Sequence, residues 1–282
     1  MAIKLLYKNE ITTIVSNSST ENDDTYLIHE SRTKRWLDSS KTTTVFTGRF
    51  GDNGSSPGDQ RLIKALGFVH NLPLNCTIRV QLYDGVVSGA NSVYNQSEEI
   101  LQRPITDEGI FHSAQLDGNG HLIDPQRQDF TYTHYINPGV VATDFEITVD
   151  YLTSIDPVIR YIYLGDAWSI GYDVAREYVP VIKDESIITQ NINGNRRPVS
   201  RGRFYGMDLF WPAITGSERI QLNHAGLYLG NSKSVIADLY SGDKNHRASI
   251  DRVWGLFDEP LKIERRGSVD EYFTASGLIM EH

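Results

Sequence analysis

Apolar and polar positions alternate with a period of two in several stretches of this chain, and the 3.6-residue recurrence of an amphipathic helix is nearly absent. In residues 77–84, Ile78, Val80 and Leu82 share one face while Thr77, Arg79 and Gln81 share the other. In 144–151, Phe145, Ile147, Val149 and Tyr151 are predicted to point inward, with Glu146, Thr148 and Asp150 outward. Residues 160–164 are apolar on both faces after Arg160, which predicts a central strand covered on each side and ending at Gly165-Asp166. Turn residues lie between such runs: Asp117-Gly118-Asn119-Gly120, Asn193-Gly194 and the Gly- and Ser-rich stretch 51–58. Short helices are predicted only over 59–66 and 98–102. The fold class expected from this pattern is all-β.

Composition agrees with it. The 282 residues include 15 Tyr and 23 Gly, with aromatic and β-branched side chains set among turn formers. The length suits two β domains, 1–165 and 166–282, or one elongated sandwich with a long appendage. No apolar run approaches the roughly 20 residues of a bilayer crossing, so no membrane insertion is expected. The N-terminus shows no signal-peptide core, which predicts synthesis in the cytoplasm of the producing cell. A net charge of -9 makes nucleic acid an unfavourable partner. The single cysteine, Cys76, excludes an internal disulfide and reads as a small buried hydrophobe.

The search for chemistry returns little. No nucleophile elbow and no phosphate-binding glycine loop occurs. The eight His residues are scattered without metal-ligand spacing. Asp117, Asn119 and His121 begin like a calcium loop, but Leu122 stands where that loop needs Gly and Gln128 where it needs Glu, so a plain hairpin turn is expected. No metal and no cofactor is expected. Asp173, Glu177, Asp208 and Glu218 are carboxylates from which a glycoside-cleaving pair would have to be drawn. Arg196, Arg197, Arg201 and Arg203 put four guanidinium groups into eight residues of an acidic chain, which suits an assembly arm seeking carboxylates on a neighbouring subunit. A solvated hairpin whose charges protect an edge strand is the alternative.

The segments 34–40, 44–48, 65–72 (Ala-Leu-Gly-Phe-Val-His-Asn-Leu) and 78–84, with the late run 157–165, resemble a discoidin or galactose-binding-like jelly roll. Trp36, the Asn71-Leu72 turn and Leu164-Gly165 carry that resemblance. It implies an N-terminal β-sandwich over 1–165, followed by a second β-rich domain. With Asp166-Ala167-Trp168 and the Gly- and Arg-containing segment beyond it, the order is also similar to tail-associated virion proteins of tailed bacteriophages. The disulfide of extracellular discoidin domains and the calcium ligands of carbohydrate-binding versions are missing, which counts against sugar binding and leaves the fold untouched.

The resemblance implies a non-enzymatic structural subunit of a phage virion, in the tail or baseplate, associating with its own copies and with neighbouring virion proteins. The Arg arm would then supply electrostatic contacts. Trp168, Phe210 and Trp211 would be apolar anchors if 208–212 is exposed, whereas two adjacent aromatics in a core strand would bury at least one ring. The second reading is a carbohydrate-binding module that recognises a host-surface glycan through loops 51–58 and 86–97, with Tyr94, Asp52 and Asn53 as contacts. A glycan-cleaving enzyme ranks third.

Overall fold

Strands form where the alternation places them. The structure, a computed structural model, describes residues 3–18, 23–30, 34–51, 57–70, 72, 76–99, 130–169, 178–184, 187–190, 196–199, 203–239, 252–265 and 273–281. The chain divides into two compact units, one of Ile3–Ser169 with Ile236–Arg252, the other of Ile170–Val235 with Val253–His282.

The first unit holds two antiparallel sheets. One runs β2 (Ile11–Ser16), β4 (Lys41–Phe50), β9 (Asp144–Ile155), β6 (Thr77–Tyr83) and β7 (Ser92–Glu99) in spatial order. Its register lines up Phe46, Ile147 and Val80 across three strands, all on the core face. The other sheet runs β15 (Val235–Asp238), β1 (Lys4–Asn9), β10 (Val158–Ser169), β5 (Arg61–His70) and β8 (Phe130–Ala142), with the short β3 (Trp36–Leu37) paired to β10. Leu66, Phe68, Ile159, Ile162 and Leu164 from this sheet join Phe46, Val80, Phe145 and Ile147 from the first in one buried cluster, which makes the unit a β-sandwich. Phe145, Ile147 and Val149 are fully buried, as their alternation predicts.

Three local expectations are corrected. Residues 61–70 form β5, not a helix, because Ile63, Ala65, Leu66, Phe68 and Val69 are buried on both faces and cross-strand pairing overrides local pattern. Glu98 and Glu99, where the second short helix is expected to begin, belong to β7, with Glu98 paired to Ile78, while the rest of that expectation, 100–102, lies outside the described residues. The strand expected to end at Gly165 runs on to Ser169. Gly165 marks a close approach: a Cβ on it would lie 2.3 Å from the carbonyl oxygen of Lys8.

The second sheet curls strongly. Its first strand, β15, places Ile236 Cδ1 only 2.5 Å from the Cβ position of Gly67 on β5. Asp238 of β15 accepts hydrogen bonds from Thr133 and Tyr135 on β8, the last strand of the order, at 2.6 and 2.7 Å. The curl buries Tyr161 and Tyr163 on the face turned away from the sandwich core. Cys76 is buried and unbonded to any other cysteine, and burial pushes its thiol up to about 12.

In the second unit, β14 (Arg203–Ile214) pairs with β11 (Tyr178–Asp184) on one side and β18 (Phe273–Glu281) on the other. The far edge of β18 is shared by β16 (Arg252–Phe257) and β17 (Lys262–Arg265). A separate hairpin joins β12 (Ile187–Gln190) and β13 (Arg196–Val199). One α-helix, α1 (Gly216–Leu229), occurs among the described residues, and none there is long and apolar enough to cross a membrane. Its start is set by a capping box: Thr215 Oγ1 receives the Glu218 N–H while Thr215 N–H donates to the Glu218 carboxylate at 2.7 Å. Leu222, Ala225 and Leu229 form its buried stripe.

Candidate functional site

A groove of about 470 Å³ opens on the outer face of the β2–β4–β9 sheet, lined by Thr13, Val15, Thr47, Gly48, Arg49, Val86, Val87 and Asp144. Alternation sends Thr13 and Val15 outward from β2 and Thr47 and Arg49 outward from β4, because their neighbours Ile14, Phe46 and Phe50 are in the core. Thr13 lies directly across from Arg49, and Val15 across from Thr47. The wall comes from the β6–β7 connection, where Gly85 adopts φ +117°, a conformation that favours glycine. Asn91 Nδ2 donates to the Val86 carbonyl at 3.0 Å and holds that turn closed.

One hydrogen-bonded relay ties the wall to the floor. The Gly85 N–H donates to Thr143 Oγ1, and the Thr143 hydroxyl donates to Asp144 Oδ2, both at 2.8 Å. Asp144 also accepts the Gly58 N–H at 3.3 Å, and its other oxygen lies 3.7 Å from Arg49 Nε. Asp144 is buried while the Arg49 side chain is 42% exposed. The separation is too long for a hydrogen bond, so Asp144 steadies the guanidinium electrostatically and leaves its donors unused among the described residues. Val15 and Val86, at 59% and 54% exposure, flank the groove with apolar surface.

Gly48 makes the floor. A Cβ there would sit 2.2 Å from the Thr13 carbonyl oxygen and 2.4 Å from Phe145 Cζ, so the core ring lies directly against the backbone under the groove. Gly48→Ala is expected to cost about 1–3 kcal/mol through overpacking. Chemical denaturation checks this, and an unchanged midpoint would mean that Phe145 does not fill that space.

None of the sequence-predicted site residues that the structure describes lines this groove. Tyr94 is half-buried on β7 with its ring packed against the core. Its hydroxyl is 2.6 Å from His134 Nε2 on β8. His134 Nδ1 lies 3.0 Å from Glu98 Oε2, and that oxygen also accepts from the Tyr132 hydroxyl at 2.8 Å. Burial, with the Glu98 charge next, raises the pKa of both Tyr94 and Tyr132, which keeps them as neutral donors. Tyr94 is thus held by its hydroxyl in a network that joins an edge strand of each sheet. Asp52, Asn53 and Arg201 lie outside the described residues, as do Asp173 and Glu177. Arg196 and Arg197 lie on β13, and Arg203 opens β14.

The condition set for the apolar anchors is not met by this chain alone. Trp211 is 2% and Trp168 6% exposed, while Phe210 is intermediate. Successive side chains leave a strand on opposite faces, and here it is Trp211 that enters the core. Asp208 is exposed on β14, and Glu218 is occupied as the capping carboxylate of α1. Sequence reasoning missed Arg49, Thr13 and Thr47. Alternation along β4 marks Thr47 and Arg49 as outward, but nothing local reveals that Val86 and Val87 rise beside them.

The class that this geometry defines is an all-β protein built around an antiparallel sandwich. No family model matches the chain, and no curated protein matches it in sequence. Likenesses among solved structures are remote. A Ruminococcus gnavus GH29 fucosidase in complex with fucose aligns with 55% of this chain at 10% identity and a TM-score of 0.36, and the chain spans 25% of that protein. CpGH89CBM32-6 of Clostridium perfringens aligns over 56% of this chain and 94% of its own length, at 11% identity and a TM-score of 0.33. The enzymatically active domain of bacteriophage CBA120 tailspike protein 4 aligns over 58% of this chain and 19% of its own, at 14% identity and a TM-score of 0.26.

Proposed function

We propose that this chain is a non-enzymatic structural subunit of a bacteriophage virion, in the tail or baseplate, working through contacts with its own copies and neighbouring virion proteins. The observation that carries the assembly reading is the outward face of α1. Ile220 and Leu227, seven residues apart, lie opposite the buried stripe of Leu222, Ala225 and Leu229, at 53% and 83% exposure. A helix with apolar side chains on opposite faces suits cover on both, and large apolar side chains on a solvated face favour protein contact. The virion assignment rests on the resemblance of the segment order around Trp36, Leu72 and Leu164, followed by Asp166-Ala167-Trp168 and a Gly- and Arg-containing segment, to tail-associated virion proteins of tailed bacteriophages.

The test is absolute mass by light scattering across a concentration series, with negative-stain images of the same fractions. The native chain is expected to form a defined symmetric oligomer, and Leu227→Glu to remain monomeric with an unchanged melting temperature. An oligomer that persists in Leu227→Glu would remove α1 from the interface. A native chain that is monomeric throughout and does not co-assemble with virion proteins would sink the reading.

A second reading, glycan binding, is favoured by the groove. Its wall comes from residues 86–87 of a loop assigned to sugar contact from the sequence, and its surface mixes hydroxyls, an Arg and aliphatic patches. Here Arg49, Thr13 and Thr47 replace Tyr94 as the contacts.

A further inference from the structure

We infer that the groove beside Arg49 binds an acidic saccharide, with the guanidinium taking the sugar's carboxylate. This rests on the glycan reading of the groove and names the chemistry of its ligand. Arg49 supplies the groove's positive charge among the lining residues. Its side chain is 42% exposed, and no hydrogen bond engages its guanidinium among the described residues. Asp144, which also lines the groove, lies 3.7 Å from the Arg49 Nε, with Oδ2 already receiving the Thr143 hydroxyl and the Gly58 N–H. Asp144 therefore orients the Nε edge and leaves the terminal nitrogens to meet a carboxylate in a two-point contact, the pairing for which a planar guanidinium is suited.

The rest of the lining selects a saccharide among carboxylates. Thr13 and Thr47 present hydroxyls with no side-chain hydrogen bond among the described residues, and they border Arg49 across and along the strands. These match ring hydroxyls. Val15 and Val86 offer aliphatic surface to the C–H face of a ring, in a groove of about 470 Å³ that holds one or two sugar units. A net charge of -9 disfavours densely charged polyanions at long range, so one carboxylate per sugar suits the site better than a sulfated or phosphorylated chain.

The probes are D-galacturonate, N-acetylneuraminate and the neutral D-galactose, titrated into the full chain and followed by protein NMR shifts and calorimetry. Either acid is expected to bind at least about tenfold more tightly than galactose, the factor carried by one charge-assisted hydrogen-bond pair. Arg49→Ala is expected to abolish that preference with the circular-dichroism spectrum unchanged, and to lower the melting temperature only slightly, because the buried Asp144 keeps its hydrogen bonds from Thr143 and Gly58. Val86→Glu, a second exposed change, should also abolish acid binding by facing the ligand with a like charge. Equal affinity for galactose and galacturonate would overturn the carboxylate inference and leave the glycan reading standing. Acid binding that survives both substitutions would overturn the placement in this groove. No binding of any saccharide would overturn the inference and the glycan reading together.

Discussion

Replacing Trp36 with alanine is expected to destabilise the chain by about 3–5 kcal/mol, the range found when a large aromatic is removed from a packed core. Trp36 is fully buried and meets Phe46 edge-on, with ring centroids 5.1 Å apart and planes at 74°. Its indole N–H donates to Asp24 Oδ1 at 2.9 Å. Asp24 in turn receives the Ser16 N–H and hydroxyl, both at 2.8 Å. Trp36 therefore joins the end of β2 to β3 and to the core through a single side chain. Trp36→Phe keeps a six-membered ring but loses the rest of the indole together with the donor, so a smaller cost of about 1–3 kcal/mol is expected. Urea denaturation followed by circular dichroism separates the two. Equal, small losses in both variants would mean that the ring is not packed as described.

Asp238→Ala is the second large effect, also about 3–5 kcal/mol, because it removes a fully buried carboxylate that pairs with Arg252 and accepts two hydrogen bonds. Asp238 is fully buried. It accepts from Thr133 and Tyr135, and Arg252 Nε lies 3.2 Å from the same oxygen. Burial, then the Asp238 charge, raises the Tyr135 pKa well above its ordinary value, so the phenol stays a donor. Lys4 lies nearby: desolvation lowers its pKa while the Asp238 charge opposes that shift. Adding Arg252→Met to Asp238→Ala should recover part of the loss, since it removes the buried guanidinium that faced the lost carboxylate. A double variant as unstable as the sum of the singles would show that Asp238 and Arg252 act independently.

Face assignments were legible from the residues alone. Phe145, Ile147 and Val149, and likewise Ile78, Val80 and Leu82, line the core as their alternation demands, because side-chain direction along a strand is a local property of extended backbone. The all-β class follows from the same pattern. Residues 61–70 were harder, since a strand covered on both faces carries no alternation and imitates a short helix. Gly165 misled in another way. Glycine ends a strand or lets a second backbone come close, and only the neighbouring Lys8 carbonyl distinguishes the two.

The sequence by itself determined the class, the inward faces and the absence of a disulfide, all properties of neighbouring residues or of composition. Only the tertiary structure decided the sites. Thr133 meets Asp238 across 105 positions and Tyr94 meets His134 across 40. The groove exists because Val86 and Val87 stand beside Arg49 and Asp144, brought together by strand pairing between distant segments. Such meetings depend on sheet order and register, which are set by the sum of packing and hydrogen bonding over the whole unit and leave no trace in local periodicity.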